Sequence, residues 1–170
     1  MSYLAKGLQI FGALALVALV AVAGYVAYLY VSNSDRTDSA TNDGVKFVLN
    51  WGGLDANQGY KVLHSFESQR SLTGDHLDHY CIQIADFSPA IEERENWTPL
   101  AGLDGWAKEA ASRAYASGDA PECFERALAE SPELQAYVWS VTAHGRNVEA
   151  YDIILFDAQT KRLLYVSDKT

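Results

Sequence analysis

The feature that most constrains this chain is an uncharged, apolar run of 24 residues, 8–31, close to the N-terminus. As a helix, 24 residues extend about 36 Å, which exceeds the ~30 Å hydrocarbon core of a membrane. A helix of a water-soluble domain is rarely apolar on all faces over such a length. The sequence therefore predicts a membrane-spanning helix over residues 8–31, in direct contact with the lipid bilayer.

The residues that flank this run predict its orientation. Tyr25, Tyr28 and Tyr30 lie near its C-terminal end, and tyrosine rings favour the membrane interface. Lys6 precedes the run, and basic residues are enriched on the cytoplasmic side of membrane helices. We therefore expect residues 1–7 in the cytoplasm and the C-terminal part in the periplasm, with the protein in the inner (cell) membrane of a bacterium.

A cleaved signal peptide is the alternative explanation of the same segment. Residues 21–23, Ala-Val-Ala, are typical of a signal-peptide cleavage site. The apolar run continues for eight more residues, which is further than the hydrophobic region of a signal peptide requires. An uncleaved anchor is therefore the prediction.

Composition and charge change after the apolar run. Residues 32–44, SNSDRTDSATNDG, are polar and short-chained, which is typical of a flexible tether. Residues 45–170 are long enough to bury a hydrophobic core and form the predicted extracytoplasmic domain. All 22 acidic residues and 12 of the 13 basic residues lie beyond residue 31, which gives that part a net charge of −10. This charge argues against nucleic acid as a partner, because contacts with phosphates require a basic surface.

Hydrophobic periodicity in residues 45–170 predicts an α+β domain. Strands are predicted at 45–50 and 80–87, and residues 60–70 are compatible with either a helix or a strand. Helices are predicted at 89–97, 103–117 and 121–131. Three further strands, 134–145, 149–157 and 162–168, are joined by short links and predict an antiparallel meander. We expect a four- or five-stranded antiparallel sheet, including this C-terminal meander, with the helices packed on one face.

The chain contains two cysteines, Cys81 and Cys123. Cys81 lies in a predicted strand and Cys123 at the start of a predicted helix. Because the domain is expected outside the cytoplasm, where thiols are oxidised, we predict a disulfide between them. Such a cross-link, closing a loop of about 40 residues, contributes ~2–4 kcal/mol of stability. Two unpaired thiols, or a catalytic Cys81 with a histidine base, are the alternatives.

The segment 74–81, GDHLDHYC, concentrates side chains that can bind metals. His76 and His79 are the weak metal-ligand candidates. In an extended chain successive side chains point to opposite faces, so His79 and Cys81 share one face and His76 lies on the other. The segment is therefore expected to be a polar turn that leads into a strand, with no metal or other cofactor.

The tryptophans are candidates for partner contacts. Trp51 and Trp97 lie in loop-like sequence and are the predicted partner contacts. Trp106 and Trp139 occur at helix or strand spacing, where aromatic residues usually belong to the core, so both are expected to be buried.

No nucleotide-binding, hydrolase or metalloprotease motif occurs in the chain. The favoured interpretation is a membrane-anchored extracytoplasmic interaction or accessory module that associates with a membrane protein or an envelope protein complex. One alternative is an anchored enzyme or metal-binding domain that uses His79 and Cys81. The other is a domain that senses a small ligand.

Overall fold

The computed structural model describes residues 3–32, 34–117, 120–125 and 133–170, and divides into two compact units, Met1–Ser34 and Asp35–Thr170. The helices are α1 (Tyr3–Ser32), α2 (Asn42–Trp51), α3 (Gly105–Ser117) and α4 (Ala120–Phe124). The strands are β1 (Arg36–Thr37), β2 (Tyr60–Glu67), β3 (His76–Ile84), β4 (Trp97–Pro99), β5 (Gln135–His144), β6 (Asn147–Asp157) and β7 (Arg162–Lys169). Two 3₁₀ turns cover Ile91–Asn96 and Leu100–Gly102.

Helix α1 corresponds to the segment predicted to span a membrane. Its side chains are described for residues 12–28, and the large apolar ones among them are exposed. Among the residues that the structure describes, no helix is both long enough and apolar enough to cross a membrane. The prediction of a membrane-spanning helix over 8–31 is therefore wrong. Tyr25 and Tyr28 are exposed, and the side chain of Tyr30 lies outside the description.

Within the described residues, seven antiparallel strands form one sheet in the order β1-β2-β3-β7-β6-β5-β4. Strands β5, β6 and β7 pair in sequence as a meander, and the ambiguous residues 60–70 contribute β2. The prediction of four or five strands is wrong because β1 and β4, with two and three residues, are too short to show a period. The predicted helix at 89–97 is a 3₁₀ turn that leads into β4.

The predicted strand at 45–50 is part of helix α2. Thr41 caps this helix, since its side chain accepts a hydrogen bond from the Gly44 backbone at 3.0 Å. Val45, Val48 and Leu49 follow the i, i+3, i+4 spacing of one helix face and are buried. Over only six residues, the apolar positions fit both the strand and the helix periodicity. The N-terminal cap at Thr41 favours the helix.

Residues 36–44 of the predicted tether belong to the folded unit. Strand β1 pairs with the end of β2, and the Ala40 backbone donates a hydrogen bond to Ser65 Oγ at 2.9 Å. Helix α2 begins at Asn42. Short polar residues therefore serve here as an edge strand and a helix cap.

Helices cover both faces of the sheet, so the prediction of helices on one face is wrong. Helices α3 and α4 pack on the first face, where Ala110, Ala111 and Ala114 have no exposed surface. These small side chains let α3 approach the strands closely. Helix α2 packs on the second face, together with Trp97 from β4. Each face has its own hydrophobic core.

Candidate binding surface

The two cysteines form the predicted disulfide. Cys81 in β3 and Cys123 in α4 are bonded, with Cα atoms 5.7 Å apart, and neither has exposed surface. The bond joins helix α4 to the sheet across 42 residues of sequence. Because its sulfur is bonded to Cys123, Cys81 offers no nucleophile to the catalytic alternative.

His76 and His79 lie on opposite faces of the sheet. His76 Nε2 is 3.0 Å from Ser167 Oγ on the α2 face. His79, which is almost fully buried, stacks on Phe66 with ring centroids 5.4 Å apart, on the face that also holds Cys81. The two histidines therefore do not converge on one ion.

The four tryptophans are arranged differently from the prediction. Trp97 is buried and donates a hydrogen bond from Nε1 to the Gly52 carbonyl at 2.9 Å, so it is not available to a partner. Trp106 and Trp139, expected in the core, are 41% and 50% exposed. Trp51 is half-buried and contacts Trp139. Trp51 and Trp139 are therefore at least partly accessible and in contact with each other, whereas Trp97 is buried.

Three aromatic rings form one partly exposed cluster, which we call the aromatic patch: Phe47, Trp51 and Trp139. Helix α2 places Phe47 and Trp51 one turn apart, with ring centroids separated by 4.4 Å. Trp51 lies nearly parallel to Trp139, with centroids 4.7 Å apart and 9° between the planes. A β-bulge between Val138 and Ser140 alters the alternation of β5 at this point. Phe47 and Trp139 are each 50% exposed, so the patch is accessible.

Five polar side chains form a row across five adjacent strands on the α2 face. We call them the polar row: Glu67, Asp78, Ser167, Asp152 and Ser140. Each residue is directly opposite the next in the strand register. Side chains that oppose each other on antiparallel strands have Cβ atoms about 4.5–5.5 Å apart. Three carboxylates are therefore aligned across one face of the sheet.

The centre of the polar row is buried and only partly satisfied. Asp78 is 7% exposed; its Oδ2 accepts a hydrogen bond from Arg70 at 2.5 Å, while its Oδ1 is buried without a hydrogen-bond partner among the described residues. Burial raises the pKa of the Asp78 carboxyl above its ordinary value, and the Arg70 charge opposes this shift. Burial also raises the pKa of Tyr80, which donates a hydrogen bond to Glu67 at 2.6 Å.

The aromatic patch and the polar row are contiguous. Tyr165 contacts Trp51 edge-on, with centroids 6.1 Å apart, and its hydroxyl is 3.5 Å from Asp152 Oδ1. Ser140, the neighbour of Trp139, donates a hydrogen bond to Asp152 Oδ2 at 2.8 Å. One surface therefore offers aromatic ring faces next to carboxylate oxygens. Both groups attract organic cations, through the ring quadrupole and through charge-assisted hydrogen bonds.

A smaller cleft lies elsewhere in the folded unit, lined by Asp55, Gln58, Asp86 and Ser88. Its polar groups bond to one another: Gln58 Oε1 accepts from the Asp86 backbone at 2.9 Å, and Ser88 donates to the Asp86 carboxylate at 2.6 Å. These contacts satisfy the cleft internally, so it is a weaker candidate than the polar row.

The sequence prediction missed the polar row. Its members come from four strands and the end of β2, and only the register brings them together. The sequence contains one indication of the polar row: Asp152 interrupts the apolar run of β6, and Ser167 follows the apolar run of β7. An acid in a strand that is otherwise buried indicates either a paired charge or a binding site.

Protein-family models, curated proteins and solved structures give no match to this chain.

Proposed function

We propose that the folded unit is an extracytoplasmic interaction module that binds a basic segment of a partner protein on the aromatic patch and the polar row. The observation that carries this proposal is the partly exposed Trp51–Trp139 stack beside a line of carboxylates. Tryptophan is enriched at the energetic centres of protein interfaces, because a large ring buries much apolar area at small entropic cost. The stack is available for such a contact.

Charge complementarity specifies the chemistry of the partner. The Glu67 and Asp152 carboxylates of the polar row are only partly buried, whereas Asp78 is buried and bonds to the Arg70 guanidinium. The region beyond residue 31 carries a net charge of −10, which attracts basic partners over long range. A lysine or arginine side chain would supply a donor to the row while its aliphatic part packs on the rings.

The extracytoplasmic location is supported by the disulfide. Disulfides persist in oxidising compartments and are rare in the cytosol. Its test uses cells that are quenched with acid, after which the unfolded protein is alkylated with and without reduction. Cys81 and Cys123 should react only after reduction. Two cysteines that react without reduction would contradict the proposed location.

The binding surface can be tested with short peptides that place Arg or Lys between apolar residues. A matched peptide set carries Glu in place of each base. Addition of the basic peptides should change the fluorescence of Trp51 and Trp139 and shift their indole N–H resonances. Trp139→Ala should weaken binding by about 2 kcal/mol, roughly 30-fold, the size of an interface hot spot.

Two control variants separate this surface from general charge attraction. Trp106→Ala removes an exposed tryptophan on α3, and Asp86→Asn removes an exposed acid of the smaller cleft. Both should bind basic peptides as the unmodified protein does, whereas Asp152→Asn should bind more weakly. The proposal would be contradicted if Asp86→Asn and Asp152→Asn lost the same affinity for the basic peptides. It would also be contradicted if the Glu peptides bound as tightly as the basic peptides.

A further inference from the structure

The side chain of His64 lies close to both sulfurs of the disulfide. A ring nitrogen of His64, Sγ of Cys81 and Sγ of Cys123 all lie within 4.8 Å of one another. His64 is directly opposite Cys81 in the pairing of β2 with β3, next to a register shift after Val62. His64 Nε2 is buried and has no hydrogen-bond partner among the described residues. The His64 imidazole, which lies beside the two sulfurs, can therefore supply a nitrogen ligand to a metal ion.

We propose that reduction of the disulfide creates a zinc-binding site formed by His64, Cys81 and Cys123. Breaking the S–S bond frees two thiols in a buried environment, where the charged thiolates are unstable alone. Zn²⁺ binds thiolate sulfur at about 2.3 Å and imidazole nitrogen at about 2.0–2.1 Å, so tetrahedral ligands lie roughly 3.5–4 Å apart. The sulfurs must separate to reach this geometry, and the three ligand atoms already lie within 4.8 Å of one another.

Charge favours zinc over a monovalent ion. Two thiolates carry −2, and neutral His64 donates a lone pair, so Zn²⁺ makes the site neutral overall. A buried site with a residual charge carries a large solvation penalty, which a monovalent ion such as Cu⁺ would leave in place. Three protein ligands leave the fourth position of zinc to water, as in open zinc sites, and His64 is only half-buried.

A phosphine is a suitable reductant for the disulfide. The phosphine takes an oxygen atom from water and becomes the phosphine oxide, and the two protons of that water go to the sulfurs of Cys81 and Cys123. Zinc then displaces both protons on binding. A phosphine suits the assay because, unlike a dithiol, it does not compete as a thiolate ligand.

The test is an anaerobic titration of the full chain with Zn²⁺, and with Co²⁺ as a coloured substitute. Reduced protein should bind one equivalent and, with Co²⁺, develop thiolate-to-metal absorption in the near ultraviolet. Oxidised protein should bind none at the same concentration. His64→Gln should weaken binding at least ~10-fold through the loss of a direct ligand, whereas His144→Gln, which changes an exposed histidine at the end of β5, should have no effect.

Circular dichroism and amide spectra follow the fold during the same titration, since reduced protein can lose structure. If the reduced chain unfolds, one equivalent of zinc should restore the spectrum of the folded protein, and should fail to do so in His64→Gln. The proposal is overturned by reduced protein that binds no metal. It is also overturned by zinc affinity that is unchanged in His64→Gln, or by a reduced chain that zinc does not refold.

Discussion

The two faces of the sheet differ in how completely they are covered. On the α3 and α4 face, small alanines bring the helix close to the strands, and a disulfide fixes α4 to β3. On the other face, the 10-residue helix α2 covers a core of larger rings, and the polar row and the aromatic patch lie beside it. The first face is closed and cross-linked, and the second presents charged and aromatic side chains.

This difference separates stability from binding within one sheet. Helix α2 is too short to cover the whole face, since 10 residues extend about 15 Å. The strands continue past the helix, and the side chains there are acids and hydroxyls. Changes to the closed face should therefore alter the free energy of unfolding, and changes at the polar row should mainly alter binding.

The largest expected effect comes from removing the cross-link of the closed face. The double variant Cys81→Ser, Cys123→Ser should lower the free energy of unfolding by about 2–4 kcal/mol, because the unfolded chain gains freedom. Urea unfolding under non-reducing conditions measures this loss. Peptide binding by the folded variant should be unchanged, and a variant that unfolds normally but no longer binds would break the proposed division between the faces.

A methyl group added under α2 should have the next largest effect. The Cβ of an alanine at Gly52 would lie 2.9 Å from Trp97 Cζ2, closer than side chains tolerate. Gly52→Ala should therefore cost about 1–3 kcal/mol of unfolding free energy through overpacking. Gly102→Ala is the matched control, because its nearest contact is an ordinary 3.5 Å from Thr98. Similar melting temperatures for the two variants would contradict the prediction and show that this core accommodates the added methyl group.

The N-terminal cap of α2 should contribute about 1 kcal/mol. Thr41→Ala removes the acceptor for the Gly44 backbone N–H, and loss of a helix cap typically costs ~0.5–2 kcal/mol. Thr41→Ser keeps the hydroxyl and should stay close to the original stability. If chemical denaturation finds the alanine and serine variants equal, the cap does not hold this helix on the sheet.

The smallest expected effect is a pH dependence at Asp78. Its raised pKa means that the folded protein holds this proton more readily than the unfolded chain, so the associated stability is lost as the pH rises from 3.8 through the folded pKa. The stability of Asp78→Asn relative to the original protein should therefore rise with pH over that window. Urea unfolding at several pH values measures the difference.

Asp75 supplies a control of opposite sign for that measurement. Hydrogen bonds from Thr73 and Ser71 lower the pKa of this exposed carboxyl, so its contribution is lost as the pH falls below 3.8 through the folded pKa. Asp75→Asn should therefore lose relative stability as the pH rises. The same trend in both variants would contradict the environment described for Asp78.

The closed face was the more predictable of the two. Helix α3 and the meander follow from long periodic runs, and the disulfide was predicted from the presence of two cysteines and an expected oxidising compartment. On the open face, the short run at residues 45–50 fits both the strand and the helix periodicity, and the predicted strand there is part of helix α2. Trp97 was expected at a partner surface but is buried, and Trp139 was expected in the core but is exposed. Periodicity indicates only which face of an element a side chain is on, whereas exposure depends on what packs against that face.

The sequence by itself determined the α+β class, the C-terminal meander and the pairing of Cys81 with Cys123, since each depends on local spacing or on counting. Tertiary structure decided that helices cover both faces, that β1 and β4 complete the sheet, and that α2 leaves the aromatic patch exposed. It also assembled the polar row, whose residues are up to 100 positions apart in sequence. Strand register joins such residues, and register depends on long-range pairing that no local pattern contains.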